Sequence, residues 1–306
     1  GRLLLTTDVY NKRNDDLLYL RKLPVTTGYA NVFDNIGSIR NKGIELGINT
    51  INIKKDDFTW TTGYNFSINR SEVIDINNDV IYPWFGRIIA GGPLNEFFGY
   101  ERLGVWGTDE LEEAAQYGKK PGDIKYRDTN GNGVKDADDR VNLGNAMPKW
   151  EMNMTNTISY KGFSLFIDLQ GVYGSHVISL AKVLMLNPGP NVNSFTSILN
   201  AWTPQNQGTM LGQLRVNSDG FDNEGGDSFN VEAASFLRVR NVGLSYRFNK
   251  NFLQKIKLNT LVLGVNVENA LLFTGYTGYD PEVTSFDAAL NQGVDVYQYP
   301  KPRTIS

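Results

Sequence analysis

The sequence predicts an all-β membrane protein: about eleven antiparallel strands forming part of a transmembrane β-barrel, with long loops along one rim. Three observations carry that prediction. Apolar and polar residues alternate with a period of two, in runs about as long as the roughly 9–11 residues that a tilted strand needs to cross a bilayer. The polar positions include Glu151 and Asp168, which suit a water-filled lumen better than a dry core. Short polar connections alternate with long ones, which is the layout of outer-membrane barrels.

Taken in order, the chain opens mid-strand at Leu3-Leu4-Leu5 with no starting methionine or signal peptide, so it reads as a piece of something longer. Phe58, Trp60, Tyr64, Phe66 and Ile68 face one way, and Thr59, Thr61, Gly63, Asn65, Ser67 and Asn69 the other. Trp150, Met152, Met154, Ile158 and Tyr160 oppose Glu151, Asn153, Thr155, Thr157 and Ser159. After Lys161-Gly162, Phe163, Leu165, Ile167 and Leu169 resume the pattern. Val242, Leu244, Tyr246 and Phe248 form another apolar face, and Leu261, Leu263, Val265 and Val267 the last. Leu237 and Val239 sit on the opposite parity to the Val242 run, a slip that a bulge or the edge of the lipid band explains.

Short connections are expected at Asn11 to Asp15, Lys54 to Asp57, Lys161-Gly162 and Asn249 to Lys255. Long ones are expected at Pro24 to Arg40, Thr108 to Lys149, Tyr173 to Asn230 and Leu271 to Tyr297, and loops of that length are usually functional. Given a bend near Gly91-Gly92-Pro93, all short turns fall on the periplasmic side and all long segments outside. A short helix is expected after Thr108, where Asp109, Glu110, Glu112 and Glu113 favour a helix start.

Composition narrows the function. With 30 basic and 33 acidic residues, net −3, there is no basic excess of the kind nucleic-acid binders show. No cysteine excludes disulfides and thiol chemistry, and a single histidine, His176, excludes a histidine-rich metal site. No window approaches the roughly 18 apolar residues of a membrane-spanning helix. The 31 glycines, 15 tyrosines, 16 phenylalanines and 5 tryptophans suit many turns and aromatic girdles. No catalytic constellation stands out, so no enzyme is expected.

One motif carries specific chemistry. From Asp128 to Asp139, oxygen side chains fall at positions 1, 3, 5, 9 and 12 (Asp128, Asn130, Asn132, Asp136, Asp139), glycine at position 6 (Gly133), and Val134 at position 7 would offer its carbonyl. This spacing predicts a structural calcium site within a loop spanning 108–149. A tight turn rich in Asp, Asn and Gly, without metal, is the plainer reading. His176 reads as a surface histidine, and Asp219, Asp222, Glu224 and Asp227 as a solvated acidic loop. Arg238 and Arg240 should lie above the hydrocarbon or toward the lumen, because a lipid-facing arginine at mid-bilayer costs about 2–4 kcal/mol. Trp84-Phe85 and Trp202 suit either sugar stacking or a place in a girdle or loop core.

Ordered motifs along the chain carry a resemblance. They are Asn35-Ile-Gly-Ser-Ile-Arg-Asn-Lys-Gly43, Gly122-Asp-Ile-Lys-Tyr126 leading into the Asp128–Arg140 loop, Leu143-Gly-Asn145, Tyr160-Lys-Gly-Phe163 and Gln170-Gly-Val-Tyr-Gly174. Ala234-Ser-Phe-Leu-Arg238, Asn241-Val-Gly-Leu-Ser-Tyr246, Val267-Glu-Asn-Ala270, Gly278-Tyr-Asp-Pro-Glu282 and Tyr299-Pro-Lys-Pro-Arg-Thr304 follow. Together they resemble the C-terminal half of a SusC/RagA-type TonB-dependent outer-membrane transporter. The resemblance implies a 22-stranded barrel, with residues 1–306 its C-terminal part and the plug and first strands outside this chain. It implies TonB-driven import of an oligosaccharide, or less often a peptide, in the bacterial outer membrane. A SusD-like surface lipoprotein would sit on the extracellular loops, and TonB would be met through the N-terminal part. Outer-membrane lipid would surround the wall, and dimers of the transporter–lipoprotein pair are common in the resembled family. The competing expectation from the residues alone is a soluble calcium-binding β-sandwich for glycan recognition or adhesion.

Overall fold

The computed structural model describes residues 1–22, 25–35, 37–76, 80–83, 85–186, 193–215, 226–283 and 291–306. Eight strands form one sheet: β1 (Leu3–Asn14), β2 (Ser38–Lys54), β3 (Phe58–Asp75), β4 (Trp150–Tyr160), β5 (Phe163–Tyr173), β6 (Phe236–Arg247), β7 (Val262–Thr274) and β8 (Thr304–Ile305). Each pairs with its neighbour in sequence, and every pairing is antiparallel.

The register makes the apolar alternation continuous across the sheet. One outward row runs Val9, Ile44, Ile68; another runs Ile158, Leu165, Leu244, Val265. Leu3, Val9, Ile44, Leu244, Leu263, Val265 and Phe273 of this face are exposed, as a surface meant for lipid must be. Aromatic pairs flank the band. Phe58 meets Tyr160 and Phe163 meets Tyr246 near the short turns, while Trp150 stacks on Tyr173 toward the other rim. Strand β4 has 11 residues, and at roughly 3.3 Å each on a strand tilted by about 40° it spans close to 25 Å, the height of an outer-membrane apolar band.

Local chemistry sets the turns. Lys161 and Gly162 both have positive φ, 45° and 91°, which closes the β4–β5 hairpin in a two-residue turn twisted to match its strands. A Cβ on Gly162 would lie 2.7 Å from the Arg247 carbonyl. Between β6 and β7, Asn249 accepts from the Phe252 amide (2.9 Å) and so caps the short helix Lys250–Lys255. On the inner face Tyr10 lies over Gly43, its cross-strand partner, where a Cβ would come within 2.3 Å of the ring.

The apolar cores lie in the rim formed by the long connections, not between faces of the wall. Gly86–Arg87, Glu96–Gly99 and Val141–Asn145 form one small sheet, and His176–Ser179, Val231–Ala233 and Val294–Asp295 another. Between them pack Phe97, Ile178, Leu180 and Val294 with Phe85 and Leu143 against them. Leu186, Ala201 and Leu211 make a second core, and Tyr100, Ile124 and Tyr126 a third. The helix expected after Thr108 is present as a 3-10 turn, Thr108–Glu110, running into α1 (Leu111–Gln116).

Three expectations change. The wall holds eight strands among the described residues rather than about eleven, because Leu18–Lys22 pairs with Asn31–Asn35 in a rim hairpin and the strands between Gly86 and Tyr126 pair with one another or with Val141–Asn145. Asn11 to Asp15 is no turn: β1 continues to Asn14, and its polar end stands at the rim. Gly91 and Gly92 do not bend a membrane strand but fold back on the end of β3, with Gly91 N–H donating to the Val73 carbonyl (2.7 Å). The phase slip before Val242 is a bulge, with register shifts at Asp168/Leu169 and Val239/Asn241. A sandwich would bury apolar residues between two sheets; here the buried apolar clusters lie at the rim and the wall's polar face borders open space.

Candidate functional site

The inner face of the wall is a polar concavity of about 590 Å³ lined by Asp8, Glu45, Asn65, Ser67, Glu151 and Gln170, among others. Its charges follow the register. Asp8 lies opposite Glu45, Glu45 opposite Ser67, and Ser67 opposite Glu151, so three carboxylates share one row. Like charges directly across a strand pair repel, which favours an open, water-filled face over a packed one. Asp168 lies farther round, accepting from Asn153 Nδ2 (2.7 Å).

Toward the rim the wall becomes basic. Arg238 projects inward from β6 and is almost fully buried, and both it and Arg240 border a second space of about 500 Å³ with Asp168, Asn241 and Glu268. The placement expected for these two arginines is thus observed. Arg238 Nη2 meets Asp280 (2.7 Å) and Glu282 (3.1 Å), and its Nη1 donates to Asn269 Oδ1 (2.6 Å).

The rim connections are tied to one another as well. Arg102 Nε donates to Asp227 (2.7 Å), Tyr126 Oη donates to the same carboxylate (3.0 Å), and Asn230 Nδ2 to its other oxygen (2.9 Å). Asp227 is completely buried, so it does not belong to a solvated acidic loop; Asp219, Asp222 and Glu224 lie outside the described residues. His176 is half-buried rather than on the surface: its ring sits where a Cβ on Gly144 would be, 2.6 Å away. Trp202 is buried in the loop core and Phe85 packs on the rim core, while Trp84 lies outside the described residues.

The 128–139 segment is a closed acidic loop. Asp128 accepts from the amides of Gly131 (2.7 Å), Asn132 (3.2 Å) and Gly133 (2.8 Å). Asn130 Oδ1 accepts from Asn132 N–H, and Asn132 Oδ1 from Val134 N–H. Asn132 Nδ2 donates to Asp136, and Asp139, fully buried, accepts from Thr129 N–H and Asp136 N–H. Gly133 takes φ +77°, the turn its position demands. The Gly133 amide, helped by Gly131, Tyr117 and Asn132, holds the Asp128 carboxyl below its ordinary range despite some desolvation. The six motif residues therefore occupy one loop, but among the described residues no three acidic or histidine side chains converge as a ready metal cluster. The oxygens of Asp128, Asn130, Asn132 and Asp139 face backbone amides, so holding calcium would call on their remaining lone pairs and the Val134 carbonyl.

The sequence did not point to the outward-facing ladder beside these sites. Asn156 shares the lipid-side parity with Met154 and Ile158, and its Oδ1 accepts from Trp60 Nε1 (3.0 Å) and Thr62 Oγ1 (2.7 Å). Asn52 donates to Thr62 (2.7 Å), and Thr50 donates to Asn52 (2.6 Å). The chain of hydrogen bonds satisfies polar groups that would otherwise face lipid unpaired. The available signal was parity alone: Thr62 and Asn156 fall on the faces that otherwise carry Trp60, Tyr64, Met154 and Ile158.

A meandering antiparallel wall with lipid-facing apolar and aromatic residues, a charged lumen face and an elaborated rim defines a segment of an outer-membrane transport barrel. The chain belongs to the family described as TonB dependent receptor-like, beta-barrel, whose family model matches residues 1–270. TonB-dependent receptor P3 of Formosa agariphila is 31% identical over 100% of this chain and 32% of its own length. TonB-dependent receptor SusC of Bacteroides thetaiotaomicron is 28% identical over 100% of this chain and 30% of its own. The chain thus spans about a third of the length of the curated relatives it matches. The RagAB peptide transporter structure shares the fold, with a TM-score of 0.80 over 99% of this chain and 32% of that one, at 24% identity. Members of this family are outer-membrane transporters and not enzymes.

Proposed function

We propose that the protein containing this chain imports an oligomeric nutrient across the bacterial outer membrane with TonB-derived energy, and that residues 1–306 form the C-terminal part of its barrel. The observation that carries this reading is the charged, open inner face from Asp8 to Glu151, bounded by an apolar outer face. Membership in the TonB-dependent receptor family supports it. We place oligosaccharides ahead of peptides. Tyr82, Tyr279 and Tyr299 stand exposed on the long-loop side and offer flat rings with hydroxyls to sugar faces. The long-loop rim, including 108–149, is on this reading extracellular and carries a SusD-like lipoprotein; TonB is met through residues outside this chain, and pairs of such complexes dimerise.

Extraction of the native receptor in mild detergent, with mass spectrometry of every co-purifying chain, tests the assembly. A far longer parent polypeptide together with a surface lipoprotein is expected; a detergent-independent species without partners would overturn the reading. Uptake of labelled oligosaccharide and peptide pools by cells carrying or lacking the receptor gene then separates the two cargo classes.

The 128–139 loop is assigned to calcium on the same basis, supported by its motif spacing and by the turn at Gly133. Isothermal titration of the purified receptor with millimolar calcium is expected to give a heat that Asp128→Ala removes. No heat above the variant's would discard the site.

A further inference from the structure

The outer face of the wall changes character at one height. Val9, Ile44 and Ile68 form its last apolar row toward the long-loop rim. Trp150 stands level with Ile68, because Glu151 lies opposite Ser67 and the strands run antiparallel, so the girdle pair Trp150–Tyr173 marks the same height. Two residues further along, on the same parity, comes a row of Asn11, Lys42 and Arg70, and beyond it a row of Arg13, Arg40 and Glu72. On a strand tilted by about 40°, two residues raise the chain by about 5 Å, which puts Lys42 and Arg70 at headgroup height over the lipid band.

Cations face cations across these strands. Lys42 lies directly opposite Arg70, and Arg13 directly opposite Arg40. Like charges so placed repel, and an anion lying between them removes the repulsion. Among the described residues the Lys42 ammonium meets no carboxylate, and the Arg70 guanidinium meets only the carbonyls of Asn69 (2.8 Å) and Pro148 (3.4 Å). Both side chains are exposed. Arg13 pairs with Asp15 (2.7 Å) at a half-exposed site, and Arg40 reaches Glu72 only at 3.8 Å. Among the described residues, four cations therefore share two carboxylates. On the lumen side of the same two strands the sign is reversed, with Asp8 opposite Glu45.

We propose that this block binds the phosphate of an outer-leaflet glycolipid, with Lys42 and Arg70 flanking the phosphate and the acyl chains lying on Val9, Ile44 and Ile68 below. A guanidinium offers the phosphate a fork of donors, and an ammonium on the neighbouring strand adds a point charge. Basic residues beside a bilayer attract anionic lipid, and the apolar row beneath receives its chains. The choice of leaflet rests on the transport reading, which places the long-loop rim outside; the chemistry of the site does not depend on import.

The test titrates the purified full receptor with its lipoprotein, in mild detergent, with phosphorylated lipid A, and counts bound lipid by native mass spectrometry. The double variant Lys42→Gln/Arg70→Gln is expected to bind at least tenfold more weakly, and so is lipid A stripped of its phosphate to the wild type. Lys12→Gln removes a cation from the inner face, where Lys12 lies over the Tyr10 ring (5.2 Å), and is expected to leave binding unchanged. Undiminished binding by the double variant or of the stripped lipid would overturn the site, as would an equal loss in Lys12→Gln. Displacement of lipid A by equimolar inorganic phosphate would assign the block to a soluble anion and overturn the lipid. A maleimide too large to cross the outer membrane should label Asp15→Cys on intact cells; labelling only after disruption would overturn the leaflet. Uptake of a labelled oligomer by wild-type cells is the separate readout for transport: without uptake that reading fails, while the lipid titration still decides the site.

Discussion

Arg238 and Asp280 stand 42 positions apart in sequence and 2.7 Å apart in space, both buried, one on the barrel wall and the other in the connection beyond β7. Each is the other's main compensation for leaving water. Replacing Arg238 with methionine keeps the bulk and strands a buried carboxylate, a change that costs about 3–5 kcal/mol. The connection is expected to give way before the wall, because the wall is held by its own ladder. Hydrogen exchange should show lost protection from Tyr276 to Glu282 with β6 unchanged; equal protection in wild type and variant would refute the assignment.

Glu282 gives the same contact a pH dependence. Burial pushes its carboxyl up, but Lys301, Arg238 and Gln170 together bring it below its ordinary value. A depressed carboxylate stabilises the folded arrangement fully above its unfolded pKa, about 4.3, and loses that contribution as pH falls through the lower folded value. Protection of the segment should therefore be constant near neutrality and fall below about pH 4. Arg238, Lys301, Gln170, Asp280 and Asn269 all face this group or its partners, and Glu282→Gln should flatten the profile. A profile unchanged in that variant would assign the titration elsewhere.

The rim tie at Asp227 predicts a different failure. Its carboxylate collects Arg102, Tyr126, Asn230 and the Phe229 amide. Asp227→Ala leaves Arg102 buried and unpaired, and a cost of about 3–5 kcal/mol is expected for the rim. Limited proteolysis should then cut within 193–215 and near Tyr126 while the barrel keeps its resistance. Cleavage at the wild-type rate would show that the apolar clusters alone hold the rim.

On the lipid side, Asn156→Leu should match the bilayer better in hydropathy and yet destabilise. It orphans Trp60 Nε1 and Thr62, and each unpaired donor costs about 1–3 kcal/mol. Urea unfolding from lipid vesicles, followed by tryptophan fluorescence, is expected to shift to lower denaturant. A shift to higher denaturant would show that the ladder is dispensable.

What was legible in the sequence is what depends on neighbours along a strand. The parity from Trp150 to Tyr160 is local, so the lipid and lumen faces of β4 could be read directly, and so could the slip around Arg240. The same parity put Asn156 on the lipid face, but nothing local reveals that Trp60 and Thr62 arrive from β3 to satisfy it. Arg102 and Asp227 lie 125 positions apart, and no period connects them. Leu18–Lys22 alternates like a wall strand because rim hairpins obey the same period, so counting alternating runs overstates the wall. The motif from Asp128 to Asp139 was legible as a loop, since Asp, Asn and Gly turn the chain through contacts two to five residues away.

The order of the wall has a consequence for how it is made. The β2–β3, β4–β5 and β6–β7 pairs close through short connections, whereas β4 meets β3 only after the chain returns from a long excursion, Phe58 lying opposite Tyr160. Low sequence separation makes the first kind of pairing fast relative to the second, which must close a large loop. The wall is therefore built from local hairpins, and the free edge of each serves as the template on which the next one docks. The rim ties from Arg102 and Tyr126 to Asp227 enclose β4 and β5 in the sequence, so they close over a hairpin that has already formed.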